Sequence, residues 1–450
     1  MKRKVIINSL CAAMAIIVSV ALLNSCSTEK EQYAQRVKEA FLKGWNAYHE
    51  YAWGMDAANP LSGTGHNWYS ESLLMTPVEA YSTMCLMNLT EQKNEAKKLI
   101  LDSLDFDCDM YVQQFEIAIR IIGGLLSAYQ LDGEPEFLQL AEDLGKRMMP
   151  VFNSPTGMPY RFVNLHSGEV SGNVTNPCEI GSMLLEYGML SKLTGNPEYY
   201  EKCKRGVVAV YERRGKTGLV GNSIDVETGE WTDRTTHISG CIDSYYEYLL
   251  KGWLLFKDQD LKNMWDECKV GISKYLADET ETGFWYGSAD MDSGKRKDTH
   301  FCALDCFYGA VLCLDGDIET AKRLQESIFK MWNMYGVEPE TIDYSDMSVL
   351  HAFYMVRPEA IEAAYYLWSF TGDKKYYEMG KSMFESIEKY CQAENGYVQI
   401  EDVRTMEKKD DLESFFFAET LKYCYLFFAP EGTFSFDEYV LNTEAHPFAK

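Results

Sequence analysis

The chain has 450 residues, 46% of them apolar and 14% aromatic, with 43 Lys and Arg against 68 Asp and Glu for a formal charge of −25. That composition is far from disordered; its acidity argues against nucleic acid, whose binding needs cations to displace phosphate counterions, and disfavours anionic membranes and polyanionic substrates. The length exceeds the roughly 250–300 residues at which single cores usually divide, so several domains or one repetitive architecture is expected.

Lys2, Arg3 and Lys4 precede a mostly apolar run from Val5 to Leu23, close to the roughly 20 residues that span a bilayer. The run ends in Leu23-Asn24-Ser25-Cys26, which resembles the lipobox of bacterial lipoproteins. Residues 1–25 are therefore predicted to be a lipoprotein signal peptide, cleaved before an acylated Cys26. Ser27 is not the Asp that typically retains lipoproteins in the inner membrane, so a lipid anchor in the outer membrane is expected. Residues 26–35 read as a tether and 36–450 as one domain. Of 13 Cys, Cys11 is lost with the signal peptide and Cys26 is acylated, leaving an odd number that cannot all pair. Cys85, Cys241, Cys313 and Cys424 fall in apolar helical patterns and read as small core hydrophobes.

After the tether, helical patterns follow one another, and a short turn recurs between them. It appears as Leu131-Asp132-Gly133-Glu134-Pro135, Leu193-Thr194-Gly195-Asn196-Pro197, Phe256-Lys257-Asp258-Gln259 and Phe370-Thr371-Gly372-Asp373, with weaker copies at Leu89-Thr90-Glu91-Gln92 and Leu314-Asp315-Gly316-Asp317. The spacing, mostly about 60 residues, suits two helices plus loops, and repeats of one such unit bury their faces against neighbours. About seven units, as an open solenoid or a closed α/α toroid, are expected. In the tail from Gly432, Phe434-Ser435-Phe436 and Tyr439-Val440-Leu441 read as a β-hairpin.

Several carboxylates sit in strongly apolar helical surroundings. Glu116 and Arg120 lie at i,i+4 on one helix face; Asp243 opens Asp243-Ser244-Tyr245-Tyr246-Glu247; Arg357-Pro358-Glu359-Ala360-Ile361-Glu362 opens another helix; and Glu419 follows Phe415-Phe416-Phe417-Ala418. Unpaired buried acids are costly. Any one of these could be paired or capping, but together, in an aromatic-rich acidic chain, they point to a sugar pocket in which rings stack on sugar faces and carboxylates do acid/base chemistry. There is no HExxH, GxSxG or GxGxxG.

These segments, with Gly336-Val337-Glu338-Pro339-Glu340 and Asn442-Thr443-Glu444-Ala445-His446-Pro447, resemble glycoside hydrolase family 47, the class I α-1,2-mannosidases, over nearly the whole mature chain. The resemblance implies an all-α fold, an (α/α)7 barrel plugged by a C-terminal β-hairpin, with residues 36–450 as the catalytic domain. It implies a Ca²⁺-dependent, inverting exo-α-1,2-mannosidase acting on mannan or high-mannose glycans, and we expect a monomer.

Carried over residue by residue, Glu116 would be the general acid, acting through a water; Glu359 the favoured general base, with Asp243 competing; and Glu340 a further acid of the site. Arg120 would lie near the glycosidic oxygen, Arg357 would bind substrate, and Phe415 would stack under the terminal mannose. Glu362, Glu419 and Glu444 would hold sugar hydroxyls or calcium-bound waters. Thr443 would bind Ca²⁺ through its carbonyl and hydroxyl oxygens. The family's active-site His falls on Ala303 here, with His300 about a turn earlier as its alternative, and the partner position of its disulfide to Cys306 is Ile328, so no bridge is expected. A mannose-binding, lectin-like protein and another α/α-toroid activity such as a sugar epimerase are the alternatives; for the latter no pair of His in matching helices is found.

Overall fold

A computed structural model describes residues 28–450; the predicted signal peptide and Cys26 lie outside the described residues. Among the described residues no helix is long and apolar enough to cross a membrane. The first helix, Glu29–Tyr51, begins inside the stretch expected to be a tether. Thr28 and Glu31 form a capping box: the Thr28 hydroxyl accepts the Glu31 amide at 3.2 Å, and the Glu31 carboxylate accepts the Thr28 amide at 2.8 Å. This satisfies two amides that a helix start otherwise leaves open, and Tyr33 and Ala34 are already buried.

The remaining helices sort into two layers by how much of their circumference is apolar. Met75–Met87 buries nearly every side chain, whereas the next helix, Thr90–Ser103, buries only Ala96 and Ile100. A helix apolar all round belongs inside, and one with a single apolar stripe covers it. The same contrast repeats along the chain. Gly123–Asp132, Leu184–Thr194, Asp243–Phe256, Tyr308–Leu314, Glu359–Thr371 and Leu421–Phe428 continue the inner ring. Pro135–Met148, Glu198–Glu212, Gln259–Gly271, Ile318–Trp332 and Lys374–Tyr390 continue the outer one, which Glu29–Tyr51 begins. Successive inner helices touch, and the last packs on both the first outer and the first inner helix. The solenoid therefore closes into an (α/α)7 barrel.

The recurrent turns link inner helices to outer ones. Each of the first six inner helices gives way to a left-handed residue at or just beyond its C-terminus: Asn88, Gly133, Gly195, Lys257, Gly316 and Gly372. Glycine reaches this conformation without a Cβ clash and lets the chain reverse tightly. The return connections are longer and carry short antiparallel strands, such as Tyr111–Gln113 with Phe162–Asn164 and His300–Cys302 with Thr341–Asp343. All the long loops thus gather at the N-terminal ends of the inner helices.

The C-terminal hairpin enters from the opposite end. Its strands are Tyr439–Leu441 and Pro447–Ala449, so the expectation that Phe434-Ser435-Phe436 supplies a strand is corrected. Phe436 instead packs on Tyr366, with ring centroids 4.4 Å apart, and on Phe370 at 5.4 Å. The hairpin is tied to inner-helix C-termini: the Ala449 amide donates to Gln130 Oε1 at 2.7 Å and Lys192 Nζ to the Ala449 carbonyl at 3.3 Å. All 11 described cysteines are free. Cys306 and Ile328 are both buried, while Cys241 is not core as expected: it is exposed, in a loop, at φ 78°.

Candidate active site

A cavity of about 240 Å³ opens among the long loops, lined by Glu116, Arg120, Asp243, Arg357, Glu359, Phe415, Glu419, Thr443 and Glu444. These residues come from four inner-helix segments and the hairpin, so closure of the ring is what brings them together. Asp243 and Glu359 are the first residues of their helices, where the helix dipole favours negative charge. Arg120 and Glu419 lie in π-helical turns, Ala118–Ile122 and Phe416–Thr420, inside otherwise α-helical elements. Such bulges re-aim side chains and recur at functional sites. Left-handed backbone at Cys241, Val356 and Ala445 flanks Asp243, Arg357 and Glu444. For a β-branched residue such as Val356 this conformation is strained and is held only by its surroundings.

Arg120 is the hub. Its Nε donates to Glu116 Oε2 at 2.9 Å, and its Nη1 to Glu79 Oε1 at 3.0 Å and Glu444 Oε2 at 2.8 Å. Its guanidinium lies 5.0 Å from the ring of Trp68. Burial opposes its charge, but the carboxylates of Glu444, Glu79 and Glu116 outweigh that and hold it protonated. Burial raises Glu79 and Glu444 above the usual carboxylate range, with Arg120 opposing.

On the other side of the cavity, burial pushes the Asp243 carboxyl up to about 6 and Glu359 up to about 7, the latter despite the nearby Arg357. Glu359 Oε2 has no hydrogen-bond partner. Glu340 does not line the cavity: it holds Arg357 through Nη2 at 2.7 Å and Nε at 3.2 Å, a bidentate pair that fixes the guanidinium plane. Glu362 lies deeper, in a second cavity of about 50 Å³ shared with Glu247, Glu359, Glu419 and Thr443. Burial lifts Glu362 to about 8, and Tyr423 donates to it at 3.0 Å. Burial and the charge of Glu444 raise Glu419 well above its ordinary value.

The hairpin tip is clamped around Asn442. Its amide donates to the Ile119 carbonyl at 3.1 Å and to Glu186 Oε1 at 2.8 Å, while its oxygen accepts the amides of Glu444 at 3.0 Å and His446 at 2.7 Å. Thr443 donates its amide to the Tyr248 hydroxyl at 3.3 Å. Lys422 Nζ reaches the Ala445 carbonyl and Ser82, and burial lowers its pKa to about 7. Among the described residues, no group of three or more His, Cys, Asp or Glu is placed to hold a metal ion directly. The polar side chains lining the deep cavity beside Leu304 and Phe307 nevertheless all carry hard oxygen donors, Thr443 and the carboxylates of Glu247, Glu359, Glu362 and Glu419 among them, which fits a hard cation completed by water.

His300 lines a neighbouring cavity rather than this one. Sequence reasoning assigned no role to Glu79, Glu186, Glu247, Lys422 or Asn442. The available signal was a polar residue flanked by apolar ones within an inner helix, as in Leu184-Leu185-Glu186-Tyr187 and Leu421-Lys422-Tyr423.

A sequence profile described as glycosyl hydrolase family 47 matches residues 40–450. A mannosyl-oligosaccharide 1,2-alpha-mannosidase of Arabidopsis thaliana is 35% identical over 442 residues, covering 93% of this chain and 78% of its own. The human ER degradation-enhancing alpha-mannosidase-like protein 2 is 35% identical over 451 residues, covering 92% and 77%. Among solved structures, an alpha-1,2-mannosidase from Trichoderma reesei superposes with a TM-score of 0.86 at 28% identity, covering 93% of this chain and 99% of that one. A cellobiose 2-epimerase from Bacillus thermoamylovorans shares the fold alone, at 11% identity and a TM-score of 0.58. With the match running from within the first outer helix through the hairpin, the chain belongs to glycosyl hydrolase family 47 and is a glycoside hydrolase.

Proposed function

We propose that the protein is a calcium-dependent, inverting exo-α-1,2-mannosidase that removes terminal mannose from mannan or high-mannose glycans. The observation that carries this reading is the single cavity shared by Glu116, Asp243, Glu359, Phe415 and Thr443, which brings three carboxylates from different helices together with an aromatic ring. A terminal mannose rests on Phe415. Glu116, held by Arg120, delivers a proton through a water to the glycosidic oxygen as the bond to C1 breaks. Glu359 removes a proton from the water that attacks C1 from the opposite face, and the product leaves as β-mannose. Inversion requires room for that water between the two carboxyl groups. Glu340 acts by fixing Arg357 rather than by moving a proton.

Thr443 would hold Ca²⁺ through its carbonyl and hydroxyl, with Glu247, Glu359, Glu362 and Glu419 reached through water. Bound there, the ion supplies positive charge that orients sugar hydroxyls and keeps the surrounding carboxylates ionised. The test is mannose release from α-1,2-mannobiose with and without chelator. Chelation should abolish hydrolysis while changing the melting temperature only modestly, because a site with one protein ligand contributes little to folding. Thr443→Val should weaken calcium affinity and activity together. Full activity in chelator overturns the calcium reading, and no mannose release under any condition overturns the enzyme reading. The chain is further proposed to be monomeric and anchored in the outer membrane through acylated Cys26, which mass spectrometry of the membrane-extracted N-terminus checks.

A further inference from the structure

We propose that the hairpin end of the barrel is a membrane-docking face, seated on a zwitterionic lipid surface with the catalytic cavity opening away from it. This placement rests on the reading of Cys26 as a lipid anchor. Very little chain separates that residue from the fold: only Ser27 and Thr28 stand between Cys26 and Glu29, the first helical residue. Fully extended, the link from Cys26 to Glu29 reaches about 10 Å. An acylated Cys26 therefore holds the start of the helix Glu29–Tyr51 beside the bilayer. That helix has 23 residues and is about 35 Å long at 1.5 Å per residue. Its far end leads into the loop that sets the Trp68 ring 5.0 Å from the Arg120 guanidinium. The helix thus starts at the hairpin end and finishes at the cavity end, so the cavity mouth stands about one helix length from the lipid.

The neighbouring elements show which edge meets the bilayer. Glu29 pairs with Lys381, Tyr33 with Glu385 and Arg36 with Glu388, so the first and last outer helices run side by side in one direction. The last, Lys374–Tyr390, begins about two turns before Lys381, which carries it about 10 Å further toward the hairpin end. The three-residue link covers the same distance. An aromatic edge lies there. Of the exposed large apolar side chains among the described residues, Phe370, at 42%, is the one at this end. It packs on Phe436, Phe436 on Phe434, and Phe434 on Tyr439, the last three half-buried. Lys374, Lys375 and Lys450 are exposed beside them, and Lys450 Nζ donates to the Phe436 carbonyl at 2.6 Å. Aromatic rings rimmed by lysines suit the boundary between headgroups and acyl chains. Asp373, Glu431, Asp437 and Glu438 are exposed on the same edge and repel anionic headgroups, which selects zwitterionic lipid.

The test is amide hydrogen exchange of the full acylated protein on vesicles of phosphatidylethanolamine and phosphatidylcholine. The reference, on the same vesicles, carries a Gly/Ser linker of about 20 residues between Cys26 and Ser27, which spans ~25 Å and frees the barrel from the surface. Segments 370–378 and 431–439 should exchange about fivefold more slowly in the natural protein than in the reference, while the loop segments 61–68 and 235–243 exchange alike. Phe370→Glu, at an exposed position, should weaken this protection with acylation unchanged; undiminished protection in that variant overturns the aromatic edge as the contact. Protection of the loop end, of a flank, or of neither end overturns the docking face. Mass spectrometry of the same samples separates the two readings. A Cys26 without lipid overturns the anchor and the face together, whereas acylated protein without hairpin-end protection overturns the face alone.

Discussion

Glu116 and Glu359 face one cavity from different helices, and their surroundings differ in a way that suits the different roles proposed for them. Glu116 is held by a permanently charged guanidinium at 2.9 Å. Glu359 is desolvated, with one oxygen unpartnered and its pKa raised to about 7. A base poised near the operating pH and an acid fixed in place are what proton transfer on both sides of a glycosidic bond requires. Glu116→Gln keeps the hydrogen bond from Arg120 and removes the proton. It should lower kcat by about 10²–10⁴-fold, the usual contribution of general acid catalysis, with KM little changed. Turnover near that of the wild type would show that another group is the acid. At this scale the sequence was informative where an acid stood at a helix start or at i,i+4 to an Arg, as with Asp243, Glu359 and Glu116. It was silent on Glu79 and Glu186, whose partners Arg120 and Asn442 lie 41 and 256 residues away.

The hairpin tip is the element that converts fold into site. Asn442 uses all four of its hydrogen-bonding positions to tie three parts of the chain together. Asn442→Asp would lose two donated bonds and set a carboxylate against Glu186, whose own pKa burial has already raised to about 8. It should cost about 2–4 kcal/mol of stability, since a buried acceptor loses its donor and gains a like charge, and thermal or denaturant unfolding reads this directly. Calcium titration of the folded fraction should show a further loss of affinity. The repeated turns were legible because they rest on local left-handed caps. The second strand of the hairpin was not. Phe434 and Phe436 have strand-forming side chains, but Phe436 is taken up by packing on Tyr366 and Phe370 and Phe434 by packing on Phe436 and Tyr439, while Pro447–Ala449 gains its pairing from the tip. The start of the first helix was missed for the opposite reason: Thr28-x-x-Glu31 is a local signal hidden in a polar stretch.

Across the whole molecule, the closed ring concentrates acids that the folded state holds at raised pKa: Asp243 at about 6, Glu359, Asp305 and Glu413 at about 7, and Glu186 and Glu362 at about 8. In the unfolded chain carboxyls titrate near 4, so between about pH 5 and 7 the folded state binds more protons than the unfolded one. Stability then falls as pH rises through this window. The half-buried His237, lowered to about 4, and the buried His446, also lowered, oppose this, but they are outnumbered. Melting of the calcium-free protein should therefore shift to lower temperature from pH 5 to pH 7, and added calcium should flatten the dependence by favouring the ionised acids. A melting temperature that rises over this range without calcium would contradict the placement of these carboxyls.

The central claim is that Glu116 and Glu359 act on opposite faces of one α-linked mannose. Proton NMR of α-1,2-mannobiose hydrolysis, recorded before the released mannose mutarotates, tests this most directly. The first anomeric signal should be β-mannose, with α-mannose growing in later; α-mannose as the first product would contradict inversion.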